Sequence, residues 1–152
     1  MAPAKLRKKV IAERVNWVRE MLASIRDIGF DDPQLFYKDH RNLAAAESYL
    51  RRGLEALLDL GRHILAKGFA RPVAEYKDIA RHLRKEGVLS DKVGKRLVKL
   101  AGYRNRMVHF YHEITNEELF RICSQELDDV ETVLDEILSW IRQHPDRMND
   151  EL

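Results

Sequence analysis

Residues 44–65 read AAAESYLRRGLEALLDLGRHIL, and with Leu43 ahead of them they decide the fold. Leu43, Ala46, Leu50, Leu54, Leu57, Gly61 and Ile64 fall three or four positions apart, which gathers them on one stripe of an α-helix and leaves Glu47, Arg51, Arg52 and Glu55 elsewhere on its surface. A strand would need alternation of two, and none is present. The stripe predicts a long helix from Pro33 to about Lys67, opened by Asp32 as N-cap with Pro33 at the first helical position, and closed by Gly68 and Pro72.

The same period extends on both sides. Ile11, Val15, Val18, Leu22 and Ile25 predict a first helix from about Lys5 to Ile28. Tyr76, Ile79, Ala80 and Leu83 predict a short third helix over about Val73 to Lys85, ended by Gly87. Ser90 suits the N-cap of a fourth helix, whose inward residues are Val93, Leu97, Leu100 and Ala101 and which should fail between Val108 and His112. Thr115-Asn116-Glu117-Glu118 has the form of a capping box, so a fifth helix is expected from there to about Gln143, with Pro145 beyond it. With 152 residues, 4 Pro and 7 Gly, the chain is expected to be one all-α domain over residues 1–152. The expected architecture is an antiparallel, up-and-down bundle of four or five helices with one short helix inserted in a connection.

Composition excludes several classes. A lone cysteine, Cys123, rules out an intramolecular disulfide and reads as a small core residue. No apolar run approaches the roughly 18 residues of a membrane span, and no signal-like apolar stretch follows the basic N-terminus, so a cytoplasmic location is expected. There is no Gly-rich phosphate loop. His109, His112 and Glu113 do not complete a metal-ligand set, and neither metal nor cofactor is expected. Trp17, Tyr49 and Trp140 lie near apolar stripes and read as packing residues. Asp59 reads first as a salt-bridge partner, with orientation of a site group as the less favoured role, and Glu47 as a polar or boundary residue of the same helix.

The net charge of +2 conceals a segregation. Residues 81–106 carry nine Lys and Arg against Glu86 and Asp91, whereas residues 113–136 carry nine acids against Arg121 alone. Such polarity suits one face for a polyanion and another for a basic partner or second subunit, with solvated helix faces as the plain alternative.

Within the basic helix, residues 101–111 read AGYRNRMVHFY, so that Arg104, His109 and Tyr111 form Arg-x4-His-x-Tyr. A permanent cation, a group that titrates near neutrality and a phenol within two turns suit phosphodiester cleavage. Imidazole can take the proton of a ribose 2′-hydroxyl, and guanidinium can offset charge developing on the phosphoryl oxygens. On an ideal helix Arg104 and His109 lie roughly 140° apart, so convergence requires either unwinding around Val108 to Phe110 or a meeting of Arg104 and His109 from two subunits.

The phrase LAGYRNRMVHFY, residues 100–111, resembles the signature of the HepT branch of the HEPN superfamily. Residues 44–65 resemble the long second helix of that family and residues 76–97 its next two, so the likeness runs from about Asp39 to Glu136. The resemblance implies a HEPN-like bundle acting as a metal-independent endoribonuclease toxin on RNA. It further implies a homodimer or higher oligomer with Arg104 and His109 lining a shared cleft, and a minimal nucleotidyltransferase antitoxin that transfers AMP to Tyr111. Asn105 is then a secondary site residue. Arg106 and Met107 stand where the family often has small or branched apolar residues, and Arg106 offers an added phosphate contact. The rival reading is a non-catalytic nucleotide-binding or adaptor subunit of a nucleotidyltransferase complex.

Overall fold

The computed structural model describes residues 4–109 and 113–149. Among them the chain forms seven α-helices: α1 (Lys8–Ile28), α2 (Pro33–Lys38), α3 (His40–His63), α4 (Tyr76–Lys85), α5 (Asp91–His109), α6 (Asn116–Gln125) and α7 (Leu127–Gln143). A π-helical turn, Ile64–Gly68, extends α3, and a 3₁₀ turn, Pro145–Arg147, follows α7. The expected all-α bundle is present, with two of the five expected helices divided.

The first division falls at Asp39. Its backbone is extended, and its carboxylate accepts the N–H of Arg41 at 2.9 Å, which makes it the N-cap of α3. Asn42 Nδ2 donates to the carbonyl of Phe36 at 3.1 Å, giving the end of α2 a side-chain partner in place of the helical ladder. The predicted N-cap of Asp32 over Pro33 is present, with Asp32 Oδ1 accepting from the N–H of Gln34 at 2.9 Å. The second division falls at Glu126, between α6 and α7, where the backbone leaves helical geometry and the carboxylate is buried. There it accepts the Tyr103 hydroxyl at 3.0 Å, Lys99 Nζ at 2.9 Å and Arg121 Nη1 at 2.5 Å. A buried carboxylate is tolerated when it is saturated in this way.

Neighbouring helices run antiparallel. The start of α1 meets the end of α3, where the N–H of Arg7 donates to His63 Nε2 at 3.0 Å. Helix α4 folds back on α5, and α5 runs against α7, joined by Arg96 to Asp129 at 3.6 Å and by Ser90 N–H to Glu136 at 2.9 Å. One apolar core draws on all of these helices, from Leu6 and Ile11 to Trp140 and Ile141. Leu6 does not begin α1 as the periodicity suggests. It is fully buried and pairs in parallel with Met148, so residues near both chain ends close over the π-helical turn. Helix α4 likewise starts at Tyr76 rather than Val73, because the carbonyls of Val73 and Ala74 are taken by Arg62.

Trp17, expected to pack, is 40% exposed, whereas Trp140 is buried and Tyr49 half-buried. The charge segregation also has an internal explanation. Lys99 and Arg96 of the basic segment pair with Glu126 and Asp129 of the acidic one, and Arg106 pairs with Glu118, so much of the two blocks is cancelled within the bundle. No helix of the described residues is long and apolar enough to cross a membrane.

Candidate active site

Helix α5 continues to His109 without unwinding. Residue 105 lies about 100° around the helix from 104, and 109 a further 40°, so Asn105 stands within the arc that separates Arg104 from His109. A single cavity of about 420 Å³ spans that arc, and its walls are Arg104, Asn105 and His109 from α5, Arg62 from α3, and Ala74, Glu75 and Tyr76 at the start of α4. The sequence geometry requires unwinding or a second subunit, yet the two residues open onto one hollow within one chain because the hollow is wide. Residues 110–112 lie outside the described residues, Tyr111 among them.

Arg104 is largely enclosed, with 18% of its side chain exposed. Its guanidinium carbon lies 4.5 Å from the centroid of the Tyr76 ring. Nη2 is 3.4 Å from Glu55 Oε2, and Nη1 is 3.4 Å from Asn105 Oδ1. Nε is buried without a hydrogen-bond partner among the described residues. Asn105 thus touches Arg104 directly.

Arg106 has a different setting. Its Nη1 and Nη2 each lie 2.7 Å from an oxygen of Glu118, and Nη2 also donates to the carbonyl of Glu113 at 3.2 Å. This bidentate fork joins the end of α5 to the start of α6, and it does not line the cavity. It also alters the expected capping box. Thr115 Oγ1 accepts the N–H of Glu118 at 3.1 Å, but the Glu118 carboxylate faces Arg106 instead of returning to the N-cap. The ion pair holds Glu118 below its ordinary pKa, chiefly through the Arg106 hydrogen bond.

Asp59 forms the expected salt bridge and also meets Tyr76, a residue of the cavity wall. Its Oδ1 receives Arg62 Nη1 at 2.9 Å and the Tyr76 hydroxyl at 3.1 Å. Burial, then the nearby Asp59 carboxylate, raise the Tyr76 phenol above its usual pKa, so it stays protonated. Arg62, Tyr76 and Glu55 were not legible as site residues. Each sits at an ordinary helix position in the sequence, and only the packing of α4 on α3 and α5 brings them to Arg104.

A larger hollow of about 610 Å³ lies between α1 and α7. Its charged walls include Arg26 and Glu131, which satisfy one another at 2.7 Å, and it is lined by no histidine, cysteine, serine, threonine or tyrosine. Chemistry, not size, singles out the cavity at Arg104.

A family model described as ribonuclease HepT-like matches residues 18–137. The chain belongs to the HepT-like family. Its fold is that of several solved structures. A chain of a toxin–antitoxin crystal structure with AMP-PNP has a TM-score of 0.76 at 22% identity, over 84% of this chain and 97% of that one. A chain from the complex of the tri-AMPylated Shewanella oneidensis HEPN toxin with MNT antitoxin has a TM-score of 0.77 at 22% identity, over 86% and 97%. YutE from Bacillus subtilis, a cytosolic protein of unknown function, has a TM-score of 0.72 at 23% identity, over 88% and 90%. At these identities the likeness is one of fold. No curated protein matches the chain by sequence.

Proposed function

We propose that this HepT-like chain is the toxin of a toxin–antitoxin pair, a metal-independent endoribonuclease that cuts RNA with Arg104 and His109. The observation that carries the reading is the shared cavity of Arg104, Asn105 and His109, which presents an enclosed guanidinium and an imidazole from one helix. His109 acts as general base on a ribose 2′-hydroxyl. The resulting alkoxide attacks the adjacent phosphorus, the P–O5′ bond breaks, the 5′-oxygen takes a proton from water, His109 returns its proton to solvent, and a 2′,3′-cyclic phosphate remains. Arg104 stabilises the extra charge on the non-bridging oxygens. Asn105 supports the Arg104 side chain. Two copies form a homodimer or higher oligomer in which the cavities face a common cleft, as isologous pairing brings equivalent residues together across a two-fold axis.

The family, and a fold relative that is AMPylated and held by an MNT antitoxin, support a nucleotidyltransferase partner. A cognate nucleotidyltransferase transfers AMP to Tyr111, two residues beyond His109, and the added nucleotide places bulk and negative charge where substrate phosphate would lie. The test is expression in a bacterial host. Wild-type chain should arrest growth and fragment RNA, and lysate activity should persist in chelator. His109→Ala should abolish both effects, and co-expressed antitoxin should relieve the wild type but not Tyr111→Phe. Arrest that survives His109→Ala unchanged would overturn the mechanism.

A further inference from the structure

An arginine that must bind a phosphate has to be held still without spending the N–H donors along its edge. Carboxylates hold guanidinium by that edge, whereas an aromatic ring holds it by the face. Arg104 is held by the second means. Its closest carboxylate oxygen, Glu55 Oε2 at 3.4 Å, is beyond the roughly 2.7–2.9 Å of a tight charged hydrogen bond, and the other Glu55 oxygen is engaged by Arg51 Nη1 at 2.9 Å. The Tyr76 ring, 4.5 Å from the guanidinium carbon, is its better-fitted neighbour. Nη1 and Nη2 carry four N–H groups between them and each makes one contact, at 3.4 Å, among the described residues, so Arg104 retains edge donors for an incoming anion, while its buried Nε faces the protein.

The ring is itself fixed from two sides of the chain. Its hydroxyl donates to Asp59 at 3.1 Å, and the same carboxylate oxygen holds Arg62. Arg62 lies 5.1 Å from the ring centroid, and its Nε and Nη2 donate to the carbonyls of Val73 and Ala74 at 3.3 and 3.0 Å. The segment leading into α4 is therefore tied to α3, and the tie ends in the ring that meets Arg104 on α5.

We infer that Tyr76 is a positioning residue for Arg104, orienting its guanidinium by ring contact while leaving its edge donors to the scissile phosphate. The functional part of this inference rests on the ribonuclease reading; the positional part does not. The two are separated by two measurements on the purified full chain. In NMR spectra, the Arg104 Nε–H resonance, assigned by its absence in Arg104→Lys, should carry a ring-current shift in the wild type and in Tyr76→Phe. It should lose that shift in Tyr76→Leu. In RNA cleavage, Tyr76→Phe should stay within about threefold of wild type, whereas Tyr76→Leu should lose kcat on the order of 100-fold, the scale of misplacing a catalytic group by about 1 Å. KM should change little, because ground-state binding is shared among other cations. A merely structural role would instead lower melting temperature and cleavage together in both variants.

Unshifted Arg104 signal in the wild type, or full kcat in a folded Tyr76→Leu, overturns the inference. If Tyr76→Leu does not fold, Tyr76→Met serves in its place, and the wild-type resonance still decides the positional part. If the wild type cuts no RNA while the shift is present, the ribonuclease reading fails and the placement of Arg104 by Tyr76 stands.

Discussion

Two glycines of α5 predict opposite responses to the same substitution. A methyl group on residue 94 would stand 2.8 Å from Arg84 Cβ, 2.9 Å from its Cδ and 3.0 Å from its Cγ. The first of these atoms is fixed to the backbone of α4 and cannot swing away, so Gly94→Ala must separate α4 from α5. A methyl group on residue 102 would meet only the tip of Lys77, with Cε at 3.6 Å and Nζ at 4.0 Å. Alanine is favoured over glycine inside a helix by about 1 kcal/mol. At residue 102 that gain should appear almost whole, raising stability by about 0.5–1 kcal/mol. At residue 94, in the first turn, it is smaller and is opposed by overpacking of about 1–3 kcal/mol, for a net loss of about 1–2 kcal/mol. For a chain of this size each kcal/mol moves the melting temperature by about 2–4 °C, so Gly94→Ala should melt about 2–8 °C below wild type and Gly102→Ala about 1–4 °C above it. Eight helical residues place the two sites about 12 Å apart, far enough for the double variant to show the sum. Thermal melts followed by circular dichroism and urea titrations measure all four proteins. Gly94→Ala as stable as wild type would refute the close-packing argument for α4 on α5.

Three further outcomes follow from the buried polar and thiol groups. Glu126→Ala removes the acceptor of the buried Tyr103 hydroxyl, while Lys99 and Arg121, about half exposed, can be rehydrated. The expected loss is about 1–3 kcal/mol by urea titration, with Glu126→Gln recovering part of it, and an unchanged midpoint would show that the carboxylate is dispensable. His63 accepts the Arg7 N–H and is held below its ordinary pKa by burial first and then by Lys67, Arg7 and Arg14. Because the unfolded chain binds that proton more readily, the His63 contribution is complete above the unfolded pKa near 6.5 and declines as pH falls below it. Urea stability measured from pH 8 to pH 5 should therefore fall less steeply in His63→Gln than in wild type; equal slopes would contradict the assignment. Burial pushes the Cys123 thiol up to about 12, so a thiol reagent at pH 8 should label it only as the chain unfolds in urea, and labelling of the native chain at the rate of a free thiol would disprove its enclosure.

The helical character of the chain was legible because the apolar stripes recur over long stretches, and the breaks were legible only where glycine or proline marked them. Pro33 with Asp32, and Gly68 with Pro72, are such marks. Asp39 is not: neither glycine nor proline stands there, and the chain leaves helical geometry because local side-chain bonds compete with the backbone ladder and because Phe36 is drawn to Phe30 and Phe120, at 5.0 and 5.2 Å between ring centroids. Glu126 is similar. An acid between Leu119, Ile122 and Leu127, Val130 reads as a solvated helix position, and its burial depends on Tyr103 and Lys99 arriving from α5 to join Arg121, five residues before it.

The site was legible to the extent that its chemistry is local. Arg104 and His109 lie within six residues of one helix, so type and spacing suffice to nominate them, whereas Asn105 enters through the resemblance to the HepT branch. Their angular separation argued against convergence, and that objection treats side chains as spokes of equal length meeting at a point. A cavity is a region instead, and Asn105 lies in the arc between the other two, so one hollow of about 420 Å³ accommodates all three without distorting α5. The residues that govern how Arg104 is held belong to other elements. Glu55 and Asp59 are spaced on α3 like members of any polar stripe, Arg62 follows Asp59 at the distance of an ordinary ion pair, and Tyr76 opens a helix that reads as an inserted connection. Their shared role arises because the bonds from Arg62 to the carbonyls of residues 73 and 74 tie the start of that helix to α3, which sets the Tyr76 ring over Arg104. On the proposed reading a short motif supplies the reacting groups, while the setting of Arg104 is a property of three packed helices that no spacing within the motif encodes.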